Sequence, residues 1–333
     1  MRKLFSLVGI FATLALAICA NVSAAFAAAP DRTGGNPLAY TRFQVTKDQA
    51  ADQPAPGQPG PLAGSGNLVY HTGGRVQTGT HHTYAIYWGS SYSTNYKTLV
   101  NRYFGDVAAD SGKTSNVYYS DTQYYQIISG VKTFISYSES FSGSWSDTAL
   151  PSSSGCSSTA GGTTKCVSDT QIRAEVTKAI NANHWPTGLG NEYFVLLGNG
   201  ISTCLGSSCA FTQFCAYHSH YTLNSATVLY ANQPYTGHNL GACGGGNYPN
   251  GDSAVDSVLS VVSHEANETI TDALGNAWYD AAGYENGDKC AWNFGTQLGG
   301  GTGTHYNQVI NGHHYELQQE WSNSTSRCVL TGK

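Results

Sequence analysis

Ser263-His264-Glu265-Ala266-Asn267-Glu268-Thr269 lies near the C-terminal end of an apolar run. Val255, Val258, Leu259, Val262, Ala266, Ile270 and Ala273 recur at helical spacing and form one apolar face. Asp252 and Ser253 can cap its start, and Gly275-Asn276 ends it. With ~3.6 residues per turn, His264 and Glu268 stand one above the other, and Glu265 sits about a quarter-turn round. Asp272 shares their sector, beside the apolar face. The stretch therefore reads as a core-packed helix carrying polar groups on its flank.

Working outward, the segments on either side alternate less regularly than in a βαβ fold, which predicts an α+β domain with a single mixed sheet. His82 to Gly89 reads as a buried strand, and Ser93 to Ala109 as a helix. Val117 to Ser140, rich in Tyr, Ile, Phe and Val, reads as two or three strands. Leu150 to Lys165 is a Ser/Gly/Thr loop. Ser168-Asp169-Thr170-Gln171 is a capping box that opens a helix with Ile172, Val176 and Ile180 on its apolar face. Glu192 to Leu197, Ala210 to Leu223 and Ala226 to Ala231 read as strands. Gly241 to Gly251 forms a glycine-rich turn region before the central helix.

Met1-Arg2-Lys3 followed by the apolar run Leu4 to Ala20 has the pattern of a secretion signal, with Ala25-Phe26-Ala27 as a cleavage site and Val22-Ser23-Ala24 as a second candidate. The expected organisation is a signal over 1–27, a Pro/Gly-rich tail or pro-segment over 28–66, and one disulfide-stabilised globular domain over 67–333. Pro54, Pro56, Pro59 and Pro61 extend the middle segment, which is expected to bury little. An exported protein with no membrane association after signal cleavage is expected. Of nine cysteines, eight remain beyond the signal. An even number in an exported chain predicts disulfides. Local spacing favours Cys156–Cys166 and Cys204–Cys209, leaving Cys215–Cys243 and Cys290–Cys328.

Charged residues make up 11% of the chain, with a net charge of −5. No basic stripe exists to displace phosphate counterions, so nucleic acid is excluded as a partner. Few carboxylates are left to unfold the protein on protonation, which predicts tolerance of acid. A monomer is expected, acting on a polypeptide or on a cell-wall or matrix polymer.

The central helix has the layout of an H-E-x-x-H zinc-peptidase helix with the second histidine replaced by a carboxylate. A solvated helix that carries these three residues without any site is the competing reading. His218-Ser219-His220 places two imidazoles on one strand face. His81-His82 and His313-His314 read as surface pairs. Asn267-Glu268-Thr269 and Asn323-Ser324-Thr325 are glycosylation sequons, the first inside the helix. No G-x-S-x-G elbow is present.

Several blocks resemble the plant EXORDIUM, or phosphate-induced, secreted protein family. Tyr70-His71-Thr72-Gly73 and Tyr84-Ala85-Ile86-Tyr87-Trp88-Gly89 are similar to the family's opening blocks. Cys215-Ala216-Tyr217-His218 resembles its Cys-Gly-Phe-His, and Tyr230-Ala231 followed by Cys243 its Tyr-Ala-Trp segment. The central helix is similar to the family's His-Glu-Leu-Ala-Glu helix, followed by Asn276-Ala277-Trp278-Tyr279. Glu285-Asn286-Gly287-Asp288-Lys289-Cys290 resembles its Glu-Ile-Gly-Asp-x-Cys. The resemblance runs over about 67–330, with little to match between Ser90 and Asn191. It implies an extracellular protein of poorly defined activity, and it weakens Asp272, which falls where the family has Asn.

Read as a zincin-like site, His264 and Glu268 are metal ligands, Glu285 or Asp288 the third, and Glu265 the general base. His218 is an electrophilic or ligand partner. One histidine with two carboxylates is a hard donor set for zinc. Either His218 or His71 joins the site, or the ion is calcium or manganese, or there is none. The expected function is a zinc-dependent endopeptidase. The alternatives are a cell-wall or matrix interaction protein in which the cluster is structural, and a glycoside hydrolase.

Overall fold

The computed structural model describes residues 44–47, 66–157 and 160–333. The expected secretion signal and most of the Pro/Gly-rich segment lie outside the described residues. Among them, β1 (Gln44–Val45), β2 (Val69–Tyr70) and β3 (His81–Trp88) precede α1 (Tyr96–Ala109). A hairpin of β4 (Tyr125–Ile128) and β5 (Val131–Phe134) leads to β6 (Glu139–Asp147). Then follow β7 (Lys165–Ser168), α2 (Asp169–Asn183), β8 (Asn191–Leu197), β9 (Ile201–Leu205) and β10 (Ser208–Cys209). The chain continues through β11 (Phe214–Leu223), β12 (Ala226–Gln233), the short α3 (Leu240–Cys243) and the long α4 (Ser253–Thr271).

Six strands form one mixed sheet in the order β1-β11-β12-β8-β3-β6. β12, β8, β3 and β6 run parallel, while β1 and β12 pair antiparallel with β11. Along the central strands, successive side chains point to opposite faces. Ala85, Tyr87, Phe194, Leu196 and Ala231 meet α1 and α4 on one face. Tyr84, Ile86, Tyr193, Val195 and Tyr230 meet Ile172 and Val176 of α2 on the other. The sheet is thus covered on both sides at its centre, which is why β8 and most of β3 are buried on both faces, while the edge strand β6 stays polar and half-buried.

Local signals translate directly. Ser168 accepts from the Gln171 backbone while Gln171 reaches back to Ser168, so the capping box is present. Asp252 accepts from the backbone of Ala254 and Val255 and caps α4. The four disulfides pair as the spacing favoured: Cys156–Cys166, Cys204–Cys209, Cys215–Cys243 and Cys290–Cys328. Val117–Gln123 differs, forming a 3₁₀ helix where a strand was expected. Asn116 caps it, and Ser120 and Thr122 bond back to carbonyls three residues earlier. Such side-chain bonds to nearby backbone compete with strand pairing. No helix among the described residues is long and apolar enough to cross a membrane.

Candidate functional site

α4 is buried along nearly its whole length, with His264, Glu265 and Glu268 at 0% exposure. The solvated-helix reading of these residues is therefore wrong: they point into protein, where a polar group needs a partner. Two other elements bring those partners. β11 carries His218, placed by pairing with Ala231 of β12 on the α4 face. The turn that follows α4 returns Glu285 and Asp288 to the helix. It is held by the Cys290–Cys328 disulfide and by buried Lys289, whose Nζ lies 3.0 Å from Asp280 and 4.6 Å from the Trp321 ring centre.

Gly287 permits this approach. A Cβ there would stand 2.8 Å from His264 Nδ1 and 3.0 Å from Glu268 Oε1. The Asp288 backbone N–H donates to Glu268 Oε1 at 2.9 Å. His264 Nε2 lies 3.1 Å from Glu268 Oε1 and 3.8 Å from Asp288 Oδ1. His218 Nε2 lies 3.1 Å from Glu285 Oε2 and 3.6 Å from Glu268 Oε2. Glu268 thus joins two groups of donors, His218–Glu268–Glu285 and His264–Glu268–Asp288.

Donors around one zinc ion at about 2.0–2.2 Å stand roughly 3.3–3.6 Å apart in a tetrahedron. The observed spacings centre on this range. Close hydrogen bonds give similar distances, but His264 Nε2 has no partner at hydrogen-bonding geometry despite its 3.1 Å approach to Glu268. It faces the carboxylate without aligning with it, as two ligands of a common centre do. Burial depresses the His264 imidazole to about 4 against the opposing pull of Asp288, so the ring is neutral at pH 7, the form that ligates metal.

Negative charge is in excess here. Glu265 is pushed well above the usual carboxylate range by burial, then by Glu268, Asp288 and Glu192. Neither of its oxygens has a hydrogen-bond partner. Glu320 is raised likewise by burial and by Asp121, Glu268, Asp288 and Glu265, and its oxygens also lack partners. Sequence reasoning missed Glu320 and Asp121 because they lie in short elements with no motif. A divalent cation would relieve this concentration of buried acid.

Part of the chain matches curated relatives. It is 36% identical over 97 residues to protein EXORDIUM-like 3 of Arabidopsis thaliana, covering 24% of this chain and 28% of that protein. It is 42% identical over 57 residues to EXORDIUM-like 5 of the same plant, covering 16% of each. The chain resembles the EXORDIUM family. The matches span well under a third of either relative's length. No family model and no solved structure matches the chain.

The structure sorts the remaining candidates. Glu285 and Asp288, posed as alternatives, both reach the cluster, on opposite sides of Glu268. His218 takes a ligand-like place beside Glu285. His71 is elsewhere, stacked on Tyr279 at 3.5 Å. Asp272 accepts from the Asn276 and Ala277 backbones and finishes the helix. His81 is not a surface residue. It is 1% exposed and bridges Glu139 at 2.8 Å and Glu192 at 3.0 Å. Asn267 is fully buried, so that sequon cannot carry a glycan on the folded chain. Asn323 exchanges hydrogen bonds with the Leu68 backbone. Cys156, Cys166 and Cys204 also gather within ligand range, but all three are in disulfides.

Proposed function

We propose that the chain is an exported metal-dependent hydrolase, of endopeptidase type, with its centre on α4. The observation that supports this reading most is the convergence of two buried imidazoles and three carboxylates at ligand spacing, with His264 Nε2 outside hydrogen-bonding geometry. His218, His264, Glu268, Glu285 and Asp288 are the donors. The two imidazoles favour zinc over calcium, which prefers six to eight oxygens. An ion held there supplies a Lewis acid that polarises a carbonyl and lowers the pKa of water.

The chain's own residues do the rest. His264, neutral at pH 7, and His218 would each offer a ring nitrogen. Glu265, one residue past His264 and with both oxygens unpartnered, takes a proton from water and returns it to the departing amine. Its carboxyl is raised by burial and by neighbouring carboxylates, and a cation held among those carboxylates would oppose that repulsion.

Elemental analysis of the purified protein, beside His264→Ala, tests the reading. One zinc per chain, lost in the variant, is expected. Glu265→Gln should keep the metal and lose about 10²–10⁴-fold in turnover; unchanged activity there would sink the assignment. A second reading, a cell-wall or matrix interaction protein with a structural cluster, is favoured by the resemblance and by the 0% exposure of Glu265 and Glu285. Metal-free protein retained on insoluble glycans would support it.

A further inference from the structure

Complete burial of Glu265 raises the question of what covers it. Against α4 lies the segment Gln44–Lys47, which contains β1 and precedes the Pro/Gly-rich stretch in the chain. β1 pairs antiparallel with the outer edge of β11, Gln44 opposite Ala216 and Val45 opposite Phe214. Ala216 is two residues before His218, so β1 lies along the same strand that carries a candidate ligand. β1 also lies against α4, the helix that carries Glu265.

We propose that the β11 edge is a docking edge for an extended polypeptide, and that Gln44–Lys47 is its resident occupant, held in cis between β11 and α4. The inference deepens the hydrolase reading by naming how a polypeptide would enter, but the docking itself needs no metal. Adding a strand to a sheet edge is a recurrent way of binding peptide, with backbone bonds for affinity and pockets for alternate side chains.

The contacts of β1 have this character. The Lys47 N–H donates to Ala242 O at 3.0 Å, and Trp292 Nε1 donates to Val45 O at 2.8 Å. Lys47 Nζ donates to Gly244 O at 2.7 Å and Leu240 O at 3.3 Å, the carbonyls around α3. Val45 packs against the apolar cluster that includes Phe214 and Trp292. An extended segment with an aliphatic residue and, two places on, a basic one would meet the same contacts.

Gln44 is the informative residue. Its side chain is 0% exposed, yet neither its amide oxygen nor its amide nitrogen has a partner. A permanent structural strand gains nothing from burying an unsatisfied amide, which is destabilising. Gln233, at the end of β12 next to β11, is equally buried and equally unpartnered. Both amides therefore offer polar atoms that this chain does not itself satisfy.

The test uses the full chain. A site-specific protease sequence is inserted between Gly57 and Gln58, and the protein is cut after folding. The released N-terminal piece is then competed with a synthetic peptide of residues 41–50. Displacement, with slowed amide exchange at Phe214–His218 on peptide binding and at least tenfold weaker binding of peptides carrying Val45→Pro or Lys47→Glu, is expected. Two results would overturn the inference: unfolding whenever the piece is stripped, or peptide binding that leaves the Phe214–His218 amides unprotected. Rebinding by metal-free, inactive protein would uphold the docking edge while refuting the hydrolase reading.

Discussion

Gly287→Ala puts the geometry of the centre under direct strain. Gly287 has φ −68° and ψ −46°, a conformation alanine adopts readily. Restricting the unfolded chain would by itself stabilise the protein by about 0.4–1 kcal/mol. Against this, the new methyl carbon would stand 2.8 Å from His264 Nδ1, 2.9 Å from Cε1 and 3.0 Å from Glu268 Oε1. Neither neighbour can yield cheaply, since both side chains are fully buried. Overpacking of this kind costs about 1–3 kcal/mol. The steric effect is the larger, so a net loss of about 0.5–2 kcal/mol is expected. At about 2 °C per kcal/mol for a domain of this size, the melting temperature falls by roughly 1–4 °C. Metal content should fall further than stability does, because the displaced groups are the proposed ligands. Thermal unfolding and elemental analysis of the variant measure both. A variant more stable than the parent, with its metal content intact, would show that the loop is slack and that the reasoning about its close approach is wrong.

His81 is held at about 10: burial alone lowers it, but the charge and hydrogen bonds of Glu139 and Glu192 prevail. Its folded pKa exceeds its ordinary value, so its contribution is complete below about pH 6.5 and is lost as pH rises to about 10. Thermal melts should therefore show stability falling across that window, and His81→Ala should flatten the slope while removing about 3–5 kcal/mol at pH 7; an unchanged slope would discount the bridge. Burial raises Glu175 to about 8 and Glu316 to about 7, so each lowers stability as pH rises from 4.5 to those values and adds nothing to the slope above them. Replacing Cys290 and Cys328 by serine opens a link of sequence separation 38 and should cost about 4 kcal/mol in denaturant titrations. Asn323→Ala removes the bonds to Leu68 and should destabilise by about 1–3 kcal/mol, with no glycan seen at this position by mass spectrometry of the purified protein.

What the sequence determined by itself was local. The capping box at Ser168 and Gln171 spans three residues, and the apolar period of α4 stacks His264 over Glu268 through helix geometry alone. The short cysteine spacings at 156/166 and 204/209 were legible for the same reason, whereas the remaining four cysteines allow three pairings and the fold selects among them. What only the tertiary structure decided was long-range placement. His218 and Glu285 are 67 residues apart in the chain, and their meeting depends on the register of β11 and on a turn closed by Cys290–Cys328. His81 reads as a strand-entrance residue until Glu139 and Glu192 arrive from neighbouring strands, 58 and 111 residues away. Gln44 sits in a segment whose composition buries little, and only the open edge of β11 makes a strand of it. Burial of polar groups depends on partners distant in sequence, and hydrophobic periodicity carries no record of them.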